Sequence, residues 1–480
     1  MNCVVKEKEI SNFLCSFYDL IKSSKIRSIA GIHVGDFTRI RKFPWYDLIL
    51  YLIFRHCSTT NQELTEYFTG KSDIDNRISK QALFKAAEKL NPNVFRHLFK
   101  CFALSFYQSQ LVKYFKGYIL LSEDGTTLET PRTDASVREN GYVINQYIRD
   151  EDDVHKVISA SSGLYDVMNG FYLDFMIRPF AYPEPALAVQ HLQTTQDALR
   201  GKKVIYLADR NYGASELIAL LEMKGYHYCI RAKSYMFKKQ IAQMKSNDEW
   251  ISVTIDEKWR DRFKYLPETK LYIKNNPVLN IRIVREKISY MDGEEEKTNN
   301  IIYLTNLQQS EFSGKQIADL YKKRWSIETG YRTMKSPLEW ERPISDKISI
   351  SLCTLYAKIL HFNIEGIIRK ELDQILIVEQ SSSHTDNKYD YQINQTQLID
   401  ILQSMNIQNK IQTKDTEGII KILDSIKGLI NKLKVPIRDN RHYKRWGRKI
   451  ADSFYYRYRK DGRNNPKVRT IHDKIITVAP

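Results

Sequence analysis

The sequence predicts an α/β protein, with helical regions at the N-terminus and the C-terminus and a sheet formed by the part of the chain between them. Three observations lead to this prediction. Apolar residues recur at helical spacing before residue 116, short apolar runs typical of strands follow between residues 117 and 235, and alternating polar and apolar residues fill 236–310. With 480 residues, the chain is long enough for roughly two to four domains.

The first region, residues 1–115, is predicted to be a helical DNA-binding domain. The run Thr59–Asn61 can cap a short helix over 63–68, and Ser79 can cap the next helix, over 80–90. Two short helices in this order resemble a helix-turn-helix, and the second carries Lys80 and Lys85, which we expect to contact DNA. The alternative is an ordinary pair of packed helices, because basic helices do not by themselves read bases.

Residues 116–235 change to a strand-rich pattern, which we interpret as the first part of a catalytic core. Along the chain the order is strand, strand, strand, helix, strand, helix, strand. The runs that predict the strands are 117–122, 156–162, 170–178, 203–208 and 227–232. This order matches a ribonuclease-H-like sheet, in which the first and fourth strands are neighbours.

The rest of the chain is divided by two further changes of pattern. Residues 236–310 predict a β-rich insertion, with strands expected at 250–255, 270–273, 279–285 and 300–304. Residues 311–375 are expected to complete the core with a helix that bears Glu328. Residues 376–480 are expected to form a helical, basic C-terminal region.

Three acidic residues occupy positions that suit one shared site. Asp124 is predicted to follow the first strand, Asp209 to end the fourth, and Glu328 to lie on the helix after the insertion. Glu123 would point the opposite way on its strand. Asp124 before a glycine could also be a simple turn, and Asp209 could be a helix cap. Clustered carboxylates repel one another and are costly without a cation, so the set predicts bound Mg²⁺ or Mn²⁺, and two such ions can activate the attacking oxygen and stabilise the leaving oxygen of a phosphodiester.

The stretch from Tyr321 to Lys335 predicts a polar stripe on one helix. At about 100° per residue, Tyr321, Arg324, Glu328 and Lys335 fall within about 60° of one another. An apolar face lies directly beside them, formed by Leu320, Ile327, Tyr331 and Met334. An exposed helix with weak ion pairs is the alternative. Cations around one acid also suit a site where a metal-binding carboxylate meets phosphates.

These residues resemble the Y-x2-R-x3-E-x6-K signature of bacterial insertion-sequence DDE transposases. The resemblance extends to the D-G-T context of Asp124, the D-R-x-Y context of Asp209 and the long interval between Asp209 and Glu328. It implies a cut-and-paste transposase in which the three acids hold two metal ions. Water would cut at the element's end, the freed 3′ hydroxyl would form a hairpin with the opposite strand, a second water would reopen it, and the 3′ end would join target DNA.

The resemblance also implies contacts with DNA. Tyr321, Arg324 and Lys335 would grip phosphates near the cleaved end and an extruded base, and we expect Arg210 and Trp325 to contact DNA as well. Relatives carry a tryptophan in the last insertion strand, where this chain has a position near Ile301. An aromatic platform could instead come from one of four residues: Tyr303, Trp250, Trp259 or Trp325.

The charge of the chain favours an anionic partner. The formal net charge is +17, and the tail from Lys432 to Lys474, which includes Arg445, interleaves basic and aromatic residues in a pattern typical of nucleic-acid binding. A solvated tail that acts only through its charge is the alternative. We expect double-stranded DNA, at element ends and targets, as the partner, and the resemblance implies a homodimer on DNA.

The remaining observations concern compartment and rival functions. The longest apolar run, Trp45 to Phe54, is too short to cross a bilayer, and the dispersed cysteines offer no zinc site. We therefore expect a cytoplasmic bacterial protein with no membrane partner, associated with the nucleoid when bound. The rival functions are a metal-dependent nuclease that never joins DNA, and a catalytically silent DNA-binding protein derived from a transposase.

Overall fold

The computed structural model describes residues 3–39, 41–56, 58–131, 133–138, 143–144, 157–180, 182–233, 235–292, 295–382 and 389–437. Within these ranges it forms a mixed α/β protein with one large sheet and helices packed around it. None of the helices that it describes combines the length and the apolar character needed to cross a membrane.

The N-terminal region is helical, as predicted. Its helices are α1 (Cys3–Lys22), α2 (Ser24–Ala30), α3 (Trp45–Phe54), α4 (Thr60–Gly70), α5 (Lys80–Ala87) and α6 (Asn93–Gln108). The cap at Ser79 is confirmed, because its side chain accepts from the Ala82 amide. Within the predicted run Thr59–Asn61, the capping residue is Thr59, which accepts from the Gln62 amide, and the helix begins earlier than predicted, at Thr60. Each cap satisfies an amide that the first helical turn leaves without a partner.

The central region provides most of the sheet. Its elements are β1 (Ile119–Thr130), α7 (Asp134–Arg138), β2 (Val143–Ile144), β3 (Val157–Asp166), β4 (Phe171–Pro179), α8 (Glu184–Thr194), α9 (Gln196–Leu199), β5 (Val204–Ala208), a 3₁₀ turn (Arg210–Tyr212), α10 (Ser215–Met223) and β6 (His227–Arg231). Strand β1 pairs with β3 in antiparallel and with β5 in parallel orientation. Strand β5 corresponds to the predicted fourth strand at 203–208, so the prediction that the first and fourth strands are neighbours is confirmed.

The prediction that Asp124 follows the first strand is wrong, because β1 continues through it to Thr130. The parallel ladder with β5 ends at the pair Glu123–Ala208. On the other side, the antiparallel ladder with β3 continues to the pair Thr130–Val157. Asp124 therefore lies where β1 loses one of its two neighbours, and the sheet opens at that point.

The region predicted as an insertion extends the same sheet. Its elements are α11 (Lys238–Ala242), β7 (Asp248–Thr254), α12 (Glu257–Arg260), α13 (Pro267–Asn275), β8 (Val278–Asp292) and β9 (Glu295–Thr305). The antiparallel strands β7, β8 and β9 join the core through β9, which pairs with β6. The predicted strand at 270–273 is wrong, because those residues lie in α13, which has Pro267 in its first turn.

The remaining elements are again mainly helical. They are α14 (Gly314–Lys322), a 3₁₀ turn (Lys323–Trp325), α15 (Ser326–Lys335), α16 (Ile348–Ser382), β10 (Tyr391–Ile393), α17 (Gln395–Ser404), α18 (Ile407–Gln412), α19 (Thr416–Gly428), α20 (Ile430–Leu433) and β11 (Lys434–Pro436). The predicted single helix over Tyr321–Lys335 is wrong, because the 3₁₀ turn interrupts it. In such a turn each residue advances about 120° rather than 100°.

Candidate active site

Asp124 and Asp209 come from neighbouring parallel strands at the same edge of the sheet. Each is the residue directly after the last β1–β5 pair, Glu123–Ala208. The two carboxylates are close enough for Asp209 to raise the pKa of Asp124. Residues that directly follow a pair of parallel strand positions lie next to each other, although Asp124 stays in the ladder with β3 whereas β5 ends before Asp209.

Glu328, in the first turn of α15, is tied to Asp124 by one guanidinium. Arg324 Nη2 donates to Glu328 Oε1 at 2.6 Å, and Nη1 donates to Asp124 Oδ2 at 3.2 Å. The Arg324 side chain is only 6% exposed, so these charge-assisted hydrogen bonds are largely shielded from water. The structure thus joins Asp124 and Glu328 through Arg324, and Asp209 follows the neighbouring strand β5.

The position of Arg324 depends on the 3₁₀ turn and on β1. The Ser122 hydroxyl donates to the Arg324 carbonyl at 3.2 Å, which fastens the turn to the strand that carries Asp124. The predicted apolar face beside the polar stripe is confirmed, because its four residues, Leu320, Ile327, Tyr331 and Met334, are all buried. Burial of this face orients α15 so that Glu328 lies towards the sheet edge.

A negative charge on Asp124 is unfavourable in this position. Burial raises the pKa of Asp124 to about 6, Arg324 opposes that rise, and Glu328 and Asp209 add to it. Within the described ranges, no three His, Cys, Asp or Glu side chains are grouped closely enough to hold a metal ion. Carboxylate oxygens are nevertheless the ligands that Mg²⁺ and Mn²⁺ prefer, and a divalent cation relieves this repulsion, so the chemistry of the residues fits such ions.

Asp209 also has a local role. Its Oδ1 accepts from the Asn211 amide at 2.7 Å and caps the 3₁₀ turn over Arg210–Tyr212. The helix cap that the sequence offered as an alternative is therefore partly right, although the capped element is this turn rather than α10. Capping leaves the second carboxylate oxygen of Asp209 for another partner.

Two residues at the site were not among the predicted functional residues. Tyr331, expected only on the apolar face, donates its hydroxyl to the Asp124 carbonyl at 2.7 Å. Glu184, in the first turn of α8, lies so close to Gly125 that a Cβ there would meet its Oε1 at 2.6 Å. Burial and then Asp209 raise the pKa of Glu184. The glycine of the D-G-T context was the signal that could have indicated a close neighbour.

The other two residues of the predicted polar stripe, Lys335 and Tyr321, lie in different surroundings. Lys335 Nζ donates to the Thr127 carbonyl of β1 at 2.6 Å and lies 3.7 Å from Glu341. Tyr321 is buried, and its ring centroid is 5.0 Å from that of Tyr303. Of the four residues of the predicted polar stripe, Arg324, Glu328 and Lys335 therefore lie beside β1 at the sheet edge, whereas Tyr321 lies inside the core.

Trp325 is the most exposed of the candidate aromatic platforms. Its side chain is 57% exposed, whereas Tyr303 is buried and Trp250 and Trp259 are partly covered. The Arg324 guanidinium lies 5.3 Å from the centre of the Trp325 ring. A cation held near an exposed ring beside three acids suits recognition of a stacked base next to a phosphate.

The remaining predicted DNA contacts are spread over the surface. Arg210 and Lys85 are exposed. Lys80 borders a cleft of about 700 Å³ that Arg342 and Lys347 also line. Arg445 and the basic tail beyond Ile437 lie outside the residues that the structure describes.

Comparison with known proteins gives one family and several distant relatives. The family model for the transposase DDE domain matches residues 116–357, which is half of the chain. In Escherichia coli, the InsL protein of insertion sequence element IS186A (strain K12) and the transposase of insertion sequence element IS421 are each 30% identical over 110 residues. That alignment covers 22% of this chain and 29% of each relative.

One solved structure is similar over most of its length. It is a cryo-EM structure of piggyBac transposase in a synaptic complex with hairpin DNA, with 11% sequence identity and a TM-score of 0.40. The similarity covers 91% of this chain and 84% of that chain.

Proposed function

Because the chain belongs to the transposase DDE domain family, we propose that it is a DNA transposase whose catalytic residues are Asp124, Asp209 and Glu328. One observation carries the assignment of these residues. Arg324 donates hydrogen bonds to both Asp124 and Glu328. Asp124 lies just beyond the last residue of β1 that pairs with β5, and Asp209 directly follows β5. The cap that Asp209 provides for the turn at Arg210–Tyr212 does not account for the link between Asp124 and Glu328 through Arg324.

We propose that these acids hold two divalent cations, Mg²⁺ or Mn²⁺. When bound, such ions activate an attacking oxygen and stabilise the leaving oxygen in phosphodiester chemistry. The chain itself supplies the alignment: the Ser122 hydroxyl fixes the turn that carries Arg324, and the Tyr331 hydroxyl holds the Asp124 carbonyl. The burial of Arg324 and Tyr331 makes these supports rigid.

The finer identity is also a proposal. We propose that the chain has the Y-x2-R-x3-E-x6-K signature in its functional sense, and that the strand order β4-β3-β1-β5-β6 is a ribonuclease-H-like core. The proposed division is a DNA-binding domain at 1–115, core at 116–235 and 311–375, an insertion at 236–310 and a basic region at 376–480. The insertion would then be an extension of the core sheet through β9.

We propose that DNA approaches the acids over Trp325, Arg210 and Lys335. Trp325 would stack on an extruded base, since it is exposed beside Arg324. Arg210 is exposed next to Asp209, and Lys335 would exchange its present partners, the Thr127 carbonyl and Glu341, for a phosphate. Arg324 would hold phosphate through a guanidinium that is already oriented.

The other proposed contacts lie further from the acids. Because Tyr321 is buried, its proposed role is to orient Arg324, whose guanidinium lies 5.7 Å from the Tyr321 ring. Lys80, Lys85 and Arg445 would bind phosphates along the rest of the DNA, with sequence reading assigned to the N-terminal helices. The proposed assembly is a homodimer on double-stranded DNA.

The proposed reaction is cut-and-paste transposition with hairpin formation and joining of the 3′ end to target DNA. It is tested by Mg²⁺-dependent cleavage of double-stranded DNA that carries the gene's own flanking ends, with Asp209→Ala as the inactive control. Cleavage at the ends with hairpin products on a denaturing gel, absent in the variant, is the expected result. Cleavage without joining would identify a nuclease, and binding without cleavage in Mg²⁺ and in Mn²⁺ would identify a silent DNA-binding protein.

A further inference from the structure

A buried group of charged side chains lies behind the strand that carries Asp124. Glu123 precedes Asp124 in β1 and points to the opposite face of the sheet, because side chains alternate along a strand. Glu123, Asp174 and His191 are fully buried. Buried charges are costly unless they are paired, so their arrangement next to a proposed catalytic residue calls for a reason beyond packing.

His191 of α8 is the centre of this group. Its Nδ1 lies 3.0 Å from Asp174 Oδ2, and its Nε2 lies 3.2 Å from the Ser162 carbonyl and 3.6 Å from Glu123 Oε1. Arg96 of α6 completes the chain, with Nη2 donating to Asp174 Oδ2 at 2.8 Å. A continuous line of polar contacts therefore joins the N-terminal helices to β1 through β4 and α8.

Ser162 connects this line to the backbone of Asp124. Its hydroxyl donates to Glu123 Oε1 at 2.6 Å and lies 3.3 Å from the Asp124 carbonyl oxygen. On the other side of the sheet, the Tyr331 hydroxyl donates to the same carbonyl. The segment of β1 that has lost its parallel neighbour is thus held by side chains on both faces.

The D-R-x-Y context of Asp209 contributes to the same buried face. Tyr212 is fully buried, and Tyr206 of β5 lies beside it. Burial and then Glu123 raise the pKa of both phenols. The tyrosine of this sequence context therefore packs behind the site while Asp209 faces it.

We propose that His191 is a positioning residue, which holds Glu123 and Ser162 so that β1 presents Asp124 in a fixed place. Arg96, acting through Asp174, fixes the His191 ring. The inference rests on the proposed function, because it assigns His191 a role in the reaction at Asp124. A purely structural role would be served as well by apolar residues of similar volume, which often replace buried ion pairs without loss of stability.

The test uses two variants that each keep one half of the His191 contacts. In His191→Gln the amide reaches the place of Nε2 and keeps a donor towards Ser162 and Glu123. In His191→Asn the shorter amide takes the place of Nδ1 and keeps only the contact with Asp174. His361→Asn is the matched control, because His361 is also buried and bonded, through Nδ1 to the Ile53 carbonyl at 3.0 Å, but lies outside the line of contacts.

Three quantities are measured on the full chain: the single-turnover rate of end cleavage, the Mn²⁺ concentration that gives half of the maximal rate, and the rise in unfolding temperature that Mn²⁺ causes. We expect His191→Asn to lose at least about tenfold in rate and to need several-fold more Mn²⁺, with unchanged DNA binding. His191→Gln should stay within about threefold of wild type. His361→Asn should lose only stability.

Equal rates and Mn²⁺ requirements in wild type and His191→Asn would overturn the proposal, as would losses that merely follow the folded fraction. If the proposed function itself is wrong, the result is different, because the wild type would then not cleave DNA at all. In that case the Mn²⁺-induced rise in unfolding temperature still decides. A rise in wild type that shrinks in His191→Asn but not in His361→Asn supports positioning, and equal rises, or none, reject it.

Discussion

Replacing Asp124 by Asn should stabilise the protein at neutral pH in the absence of divalent cations. Burial raises the pKa of Asp124 from 3.8 to about 6, with Arg324 opposing the rise and Glu328 and Asp209 adding to it. Between these values the folded protein keeps a proton that the unfolded chain has released, so stability falls as pH rises through this range. Two pH units correspond to about 3 kcal/mol, which is the upper limit of what ionised Asp124 costs above pH 6.

The variant carries no charge at any pH, and the attraction of Arg324 for the ionised carboxylate is already contained in the pKa of about 6, so the gain in stability should not exceed this limit. We expect Asp124→Asn to be about 1–3 kcal/mol more stable than wild type at pH 7.5, and the difference to shrink below about 1 kcal/mol near pH 4. Urea-induced unfolding, followed by circular dichroism in EDTA at both pH values, measures this difference.

Asp248→Asn provides a control of opposite sign. Asp248 accepts two hydrogen bonds from the buried Arg282, which lowers the pKa of Asp248. Its ionised form therefore stabilises the folded protein above the ordinary pKa of aspartate, and the variant should be less stable than wild type at pH 7.5. The reasoning about Asp124 is refuted if Asp124→Asn is no more stable than wild type at pH 7.5 while Asp248→Asn behaves as expected.

Three further outcomes are expected. Gly366→Ala should lower the unfolding temperature, because a Cβ there would lie 1.9 Å from the carbonyl oxygen of Gly170, which has φ +77°. The expected loss of stability is about 3 kcal/mol or more, and an unchanged unfolding temperature would contradict this. The double variant Lys80→Gln, Lys85→Gln should reduce the slope of log affinity for DNA against log salt by about 2, measured by fluorescence anisotropy; an unchanged slope removes both from the interface. Trp325→Ala should reduce hairpin formation about tenfold or more, as loss of one stacked base predicts, whereas Trp325→Phe should retain most of it; equal yields of hairpin on a gel would exclude stacking.

The sequence predicted those features that depend on local pattern. The strand order, the cap at Ser79 and the buried face beside Glu328 all follow from short-range periodicity. The extent of β1 does not, because Asp124-Gly125 has the composition of a turn and only pairing with β3 keeps it extended. Tertiary pairing therefore overrides local propensity at the residue on which the site depends.

The partners of each candidate residue were beyond prediction for a different reason. The sequence placed Arg324 and Glu328 on one side of a helix, but a helix alone cannot indicate that the guanidinium also reaches Asp124. Similarly, the alternation that turned Glu123 away from the site gave no sign of His191, which comes from another layer of the fold. Contacts between layers depend on how the helices cover the sheet, and sequence spacing does not contain that geometry.

The end of β5 explains why the proposed site lies where it does. A strand paired on both sides has its backbone groups occupied by its neighbours, and its side chains face packed helices. Beyond Glu123, β1 keeps β3 on one side only, so its free edge is open to α15 and to a ligand. Lys335 reaches that free edge at the Thr127 carbonyl, and Arg324 reaches the Asp124 carboxylate there. The same loss of a neighbour that opens the sheet at Asp124 would leave this residue poorly fixed, which is the physical reason for the hydrogen bonds that hold this segment from both faces.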